Sequence, residues 1–94
     1  MYDHLPGGEI LRDGLRDLDS GKHSVAAMLV LIARPRLAGH GIQVPDGGAM
    51  PHCPEHELYR LLVVEHGTEA YRHYRSLLRR LVSLENALDV QAAA

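Results

Sequence analysis

The stretch MPHCPEHELY, residues 50–59, sets His52, Cys53 and His56 close together, with Glu55 and Glu57 between and beside them. Imidazole and thiolate are ligands for zinc, iron or copper. Two residues separate Cys53 from His56, a spacing that lets a loop-to-helix turn bring both onto one ion. Further ligands would come from His66, His73 or His40, and Glu69 with His73 stand four apart on one helix face. No second cysteine pair and no His-Glu-x-x-His pattern backs this set, so its spacing is a weak signature. The same residues offer a thiolate pair, Cys53 with His52 or His56, helped by a helix N-terminus that lowers the thiol pKa. Catalysis would also need an oxyanion stabiliser and an orienting group, and the chain shows no Gly-rich elbow to supply them. The plainer reading is structural: Pro51 and Pro54 stiffen a turn, Cys53 or His52 caps a helix, and the histidines face water.

A second group lies in YRHYRSLLRR, residues 71–80. Arg72, Arg75 and Arg79 recur at helical spacing, with Arg80 to the side and Tyr71 and Tyr74 nearby. Such a row grips phosphates or an acidic protein surface. It is also what the solvated face of any amphipathic helix looks like. A helix-turn-helix would need a second basic surface on the preceding helix, and that helix lacks one. The glycine pairs in PGG and DGG have no following Lys-Ser/Thr and no preceding strand, so they are not phosphate loops. Asp19, Ser20 and His23 stand near one another in a stretch read as a turn and N-cap.

The elements that must position these groups read as helices. The first is expected over about 8–18, where Leu11, Leu15 and Leu18 form a one-sided stripe. The second, over about 23–33, contains SVAAMLVLIA, apolar on all sides and hence central. A buried strand competes for this run, and the strong helix formers Ala-Ala-Met-Leu decide for helix. Pro35 breaks or kinks it, leaving one further turn over 35–39. Residues 42–53 form a long loop, with Val44-Pro45-Asp46-Gly47 a type I turn signature. A third helix is expected over 54–66, opened by Pro54 with Glu55 and Glu57 at the positive end of its dipole. Gly67 closes it and Thr68 is the expected N-cap of a fourth helix over 69–89.

That last helix carries Ala70, Tyr74, Leu77, Leu81, Leu84 and Leu88 at alternating spacings of four and three, an a/d seam. Residues 69–89 would span roughly 31 Å at about 1.5 Å per residue, well beyond the other helices. Its end is expected to overhang with Leu84 and Leu88 uncovered, and a second copy of the chain, meeting it through Leu77, Leu81, Leu84 and Leu88, is the simplest cover. Glu85 falls among the apolar positions and needs a partner or marks an interface rim.

Ninety-four residues with 46% apolar content make one small folded domain, residues 1–94. Phe and Trp are absent, so the core is aliphatic with four tyrosines as its large rings. A net charge of −2 argues against nucleic acid or an anionic membrane as the main partner, although seven histidines would reverse the sign in acid. The single cysteine fits a reducing cytoplasm. The longest apolar run, 25–33, is about half a membrane span, and MYDHLPGGE is no signal peptide. The expectation is an all-α, four-helix bundle-like domain with a long C-terminal helix, acting as a homodimer. Its leading function is a cytoplasmic, non-enzymatic protein-interaction or regulatory module. The alternatives are a metal-binding or metal-sensing protein with a transition metal such as zinc on His52, Cys53 and His56, and a nucleic-acid regulator using the Arg72, Arg75, Arg79 face.

Overall fold

An apolar run with no polar face must be covered on every side, and the other helices are arranged to cover residues 25–32. The computed structural model describes residues 4–45 and 53–93. Among them all regular structure is helical: α1 (Gly8–Asp19), α2 (Val25–Ile32), α3 (Arg34–Gly39), α4 (Pro54–His66), a 3-10 turn (Gly67–Glu69) and α5 (Ala70–Ala93). Of the expected loop, residues 46–52 lie outside the described residues, and with them much of the turn expected at Val44–Gly47.

In α2 the consecutive residues Ala27, Met28, Leu29 and Val30 are each at most 1% exposed. A helix surrounded by helices gives that burial; α1 and α4 flank α2, and α3 and α5 also touch it. The helix begins at Val25, two residues after its expected start, because Ser24 caps it. Ser24 Oγ accepts the Ala27 N–H at 3.1 Å and donates to the Asp17 carboxylate at 2.6 Å. One hydroxyl thus caps α2 and ties it to α1. At the other end Pro35 has no N–H to continue the ladder, so α2 stops and α3 begins at Arg34, with the proline in its first turn.

The contact of α1 with α2 depends on Gly14. It is buried in the stripe formed by Leu11 and Leu18, and a Cβ there would lie 2.5 Å from the Ala26 carbonyl oxygen and closer still to a Val30 methyl. Glycine lets the two backbones approach to a distance that no side chain permits.

The a/d face of α5 points into the chain's own core. Leu81, Leu84 and Leu88 are buried within this chain, Leu84 completely, and Leu77 is partly buried against the same core. The overhang expected from helix length, with Leu84 and Leu88 uncovered, is therefore corrected: these leucines are taken up by the chain's own core. The reason is that segments without helical periodicity do the covering. Gly7, in a left-handed conformation (φ 72°), lets the chain before α1 pass so close that a Cβ would lie 3.1 Å from the Arg80 carbonyl oxygen and 3.4 Å from Leu84 Cβ. At the far end Ile42 and His40 stand beside Leu88. His40 Nε2 lies 2.8 Å from Asp89 Oδ1, and Arg36 donates to the other oxygen of the same carboxylate. These hydrogen bonds, that of His40 foremost, hold the Asp89 carboxyl below its ordinary value. An Arg80–Glu9 ion pair fastens α1 along α5. Among the described residues no polar or charged side chain is buried, and no helix is long and apolar enough to cross a membrane.

Two outcomes follow. Gly14→Ala gains about 1 kcal/mol of helix propensity but forces α1 off α2, at a cost of about 1–3 kcal/mol for overpacking that should win because one obstacle is backbone. Thermal unfolding should show a fall of several degrees, whereas Gly39→Ala, whose Cβ would meet open space, should show none. Leu84→Ala should lose about 2–5 kcal/mol by denaturant titration. That loss should be independent of protein concentration, which an interface leucine would not be.

Candidate functional site

Gly67, at φ 59°, ends α4, and the 3-10 turn Gly67–Glu69 feeds directly into α5. Thr68, expected as an N-cap, sits inside that turn. The short junction leaves the first turns of α5 exposed on the side away from the core, and there Arg72, Arg75 and Arg79 stand. With Thr68, Glu69, Tyr71 and Ser76 they line one shallow groove. Arg72 is drawn back to Glu69 at 3.3 Å, an exposed pair of small energetic weight. Arg75 lies over the Tyr71 ring, its guanidinium carbon 5.9 Å from the centroid. Among the described residues neither Arg75 nor Arg79 has a carboxylate partner. Arg80, next in sequence, is committed to Glu9 and does not join them.

The arginine groove continues along α5 into a more apolar one lined by Arg75, Leu78, Arg79, Val82 and Ser83. Tyr71 is 59% and Val82 51% exposed. By helical spacing Tyr71, Leu78 and Val82 flank the buried seam; the structure turns Tyr71 and Val82 to solvent and leaves Leu78 half-buried. An exposed surface that combines unpaired guanidinium groups with apolar side chains can hold a partner both by charge and by burial.

The histidine and cysteine residues are arranged differently. His52 lies outside the described residues. Cys53 occupies the N-cap position of α4 without capping through its side chain. Its thiol donates to the Glu55 carboxylate at 3.2 Å, and this bond, with a backbone hydrogen bond, holds the Glu55 carboxyl below its ordinary value. His56 is exposed. His66 and His73 do come together, across the end of α4 and the start of α5, but as stacked rings with centroids 3.7 Å apart and planes 15° apart. Stacking turns the ring nitrogens along parallel planes rather than toward a common point. Glu69 pairs with Arg72, and His40 with Asp89. Among the described residues no three His, Cys, Asp or Glu side chains are placed to hold an ion. Beside this, Tyr59 of α4 meets Tyr74 of α5 edge to face at 5.6 Å, stiffening the hairpin that presents the arginines.

Removing the thiol by Cys53→Ala should raise the Glu55 carboxyl toward its ordinary value, read by carboxyl NMR during a pH titration. Because the bond depresses the folded-state pKa, its stabilising effect is present above the ordinary carboxyl pKa of 4.5 and is lost as the pH falls through the lowered one. An unchanged Glu55 titration would show that the thiol is not its donor.

Comparison with protein-family models, with curated proteins and with solved structures finds no match for this chain.

Proposed function

We propose that this chain is a non-enzymatic protein-interaction module, a bundle-like frame of four longer helices and the short α3 that offers the outer face of α5 to a protein partner. The observation that carries this reading is that Arg75 and Arg79 are exposed, without a carboxylate among the described residues, beside the solvent-facing Val82 and Tyr71. A partner surface bearing carboxylates around an apolar strip would satisfy both kinds of group at once. A nucleic-acid ligand would be served by the arginines alone, and the exposed apolar residues between them favour protein instead. The free thiol of Cys53 supports a cytoplasmic setting.

The test is recovery of partners by the tagged protein from its own cells, set beside the variant Arg72→Glu/Arg75→Glu/Arg79→Glu. All three positions are exposed, so the variant should keep its helical spectrum and melting temperature. Proteins recovered by the wild type and lost by the variant are the expected result. Identical recovery by both would sink the reading, and salt-sensitive binding of the purified wild type to DNA or RNA, lost in the variant, would replace it.

A further inference from the structure

We propose that the partner of α5 is, in the first instance, a second copy of this chain, docked antiparallel along a second seam on that helix; this rests on the interaction reading above and names its partner. The seam is Tyr71, Arg75, Leu78, Val82, Glu85 and Asp89. Its spacings are four, three, four, three and four, as in the buried seam. At about 100° per residue these six fall within an arc of roughly 80°, about a quarter turn away from the leucines that face the core. Tyr71, Arg75, Val82 and Asp89 are exposed, and Leu78 and Glu85 are half-buried.

The order of residues along this seam suits a two-fold axis. Place the axis beside residue 80 and run the second helix antiparallel. Leu78 then meets Val82 of the partner subunit, and Arg75 meets Glu85 of the partner subunit, each contact occurring twice. Tyr71 meets Asp89 of the partner subunit at the ends. Every layer sets an a-type position against a d-type position, as antiparallel packing requires. Arg75 and Glu85 both lack an ion-pair partner among the described residues. Ten residues apart on one helix, about 15 Å, they cannot reach each other. A second copy brings each what the other needs, which also gives Glu85 a reason to stand among apolar positions.

The same axis places Arg72 and Arg79 of both copies along one side of the pair. The two Arg79 side chains approach there and oppose pairing, while together the four guanidinium groups make a basic ridge twice as long as one chain offers. The pairing thus builds, from two short rows, a surface for a further acidic protein.

Sedimentation equilibrium across a wide concentration range, at low and at high salt, tests the assignment. The wild type should approach the mass of two chains as concentration rises, less readily at high salt. Arg75→Glu and Glu85→Arg should each weaken self-association about tenfold or more, since each sets like charges opposite one another twice. An equimolar mixture of the two variants should associate again, and so should the single chain carrying both changes. The doubly changed chain reports orientation: in a parallel pair it would still set like charges on one another at positions 75 and 85 and would not associate again, whereas the antiparallel pair restores both attractions. Arg79→Ala should tighten the dimer while weakening capture of acidic partners. A wild type that stays monomeric throughout, or a dimer indifferent to the charge reversals, would overturn the second-copy assignment. The interaction reading would still stand if partners were recovered by the wild type and lost by the triple arginine variant; it fails separately if they were not.

Discussion

The contact of α1 on α2 at Gly14 is the constraint from which the rest of the arrangement follows. α2 has no polar side to leave in water, so its eight residues are stable only when neighbours enclose them. Enclosure at van der Waals distance needs one neighbour to come in without a side chain, and Gly14 against Ala26 and Val30 is where that happens. The Ser24 hydroxyl, between the Ala27 amide and Asp17, sets the turn that makes this approach possible. With α1 fixed on one side, α4 takes the other, and α5 closes the remaining gap with Leu81, Leu84 and Leu88. The small domain has little core to spare, which is why the segments outside the helices matter: Gly7 and Ile42 finish what the helices leave open.

That arrangement also determines what α5 can present. Its leucines are used by its own chain, so any partner has to be bound by a different face. The segment before α1 and the Glu9 carboxylate occupy one flank, where Arg80 is neutralised. α3 holds the distal end through Asp89. What stays open is the arc running from Tyr71 through Arg75 and Leu78 to Val82, together with Arg72 and Arg79. The hairpin with α4 keeps that arc rigid, since Tyr59 on Tyr74 and His66 on His73 bind the two helices through ring contacts. A rigid helical surface loses little conformational freedom on binding, which favours even a modest patch.

The all-α class was legible because Leu, Ala, Arg and Glu dominate the periodic segments and no alternation at period two competes with them. The arginine face was legible for the same reason: Arg72, Arg75 and Arg79 share a face by spacing alone. The fate of Leu84 and Leu88 was not. Helix length argues for an overhang, but their cover comes from residues around Gly7 and Ile42, whose positions depend on tertiary packing and leave no periodic trace. The placing of His66 and His73 was not legible for a related reason. Clustering of His66 and His73 in space is set by how α4 crosses α5, and that crossing stacks the rings instead of converging their nitrogens. The second stripe on α5 was present in the spacing, yet two overlapping heptad patterns on one helix cannot be ranked without knowing which of them the core takes.

The two stripes differ in a way that assigns them different work. The buried one is apolar except for the Tyr74 hydroxyl, and burial alone holds it, without specifying register. The outer one has only Leu78 and Val82 at its centre, too little apolar surface to drive indiscriminate association. Its charged positions, basic toward the N-terminal half and acidic toward the C-terminal half, add little energy while exposed but exact a penalty for every misaligned docking. A helix with an apolar inner stripe and a charge-patterned outer one can therefore fold by the first and choose by the second. Because Arg75 and Glu85 stand on either side of residue 80, an antiparallel neighbour of the same sequence sets opposite charges together at those positions and a parallel one sets like charges together. That polarity, more than any single contact, is what would make such a pairing selective for orientation.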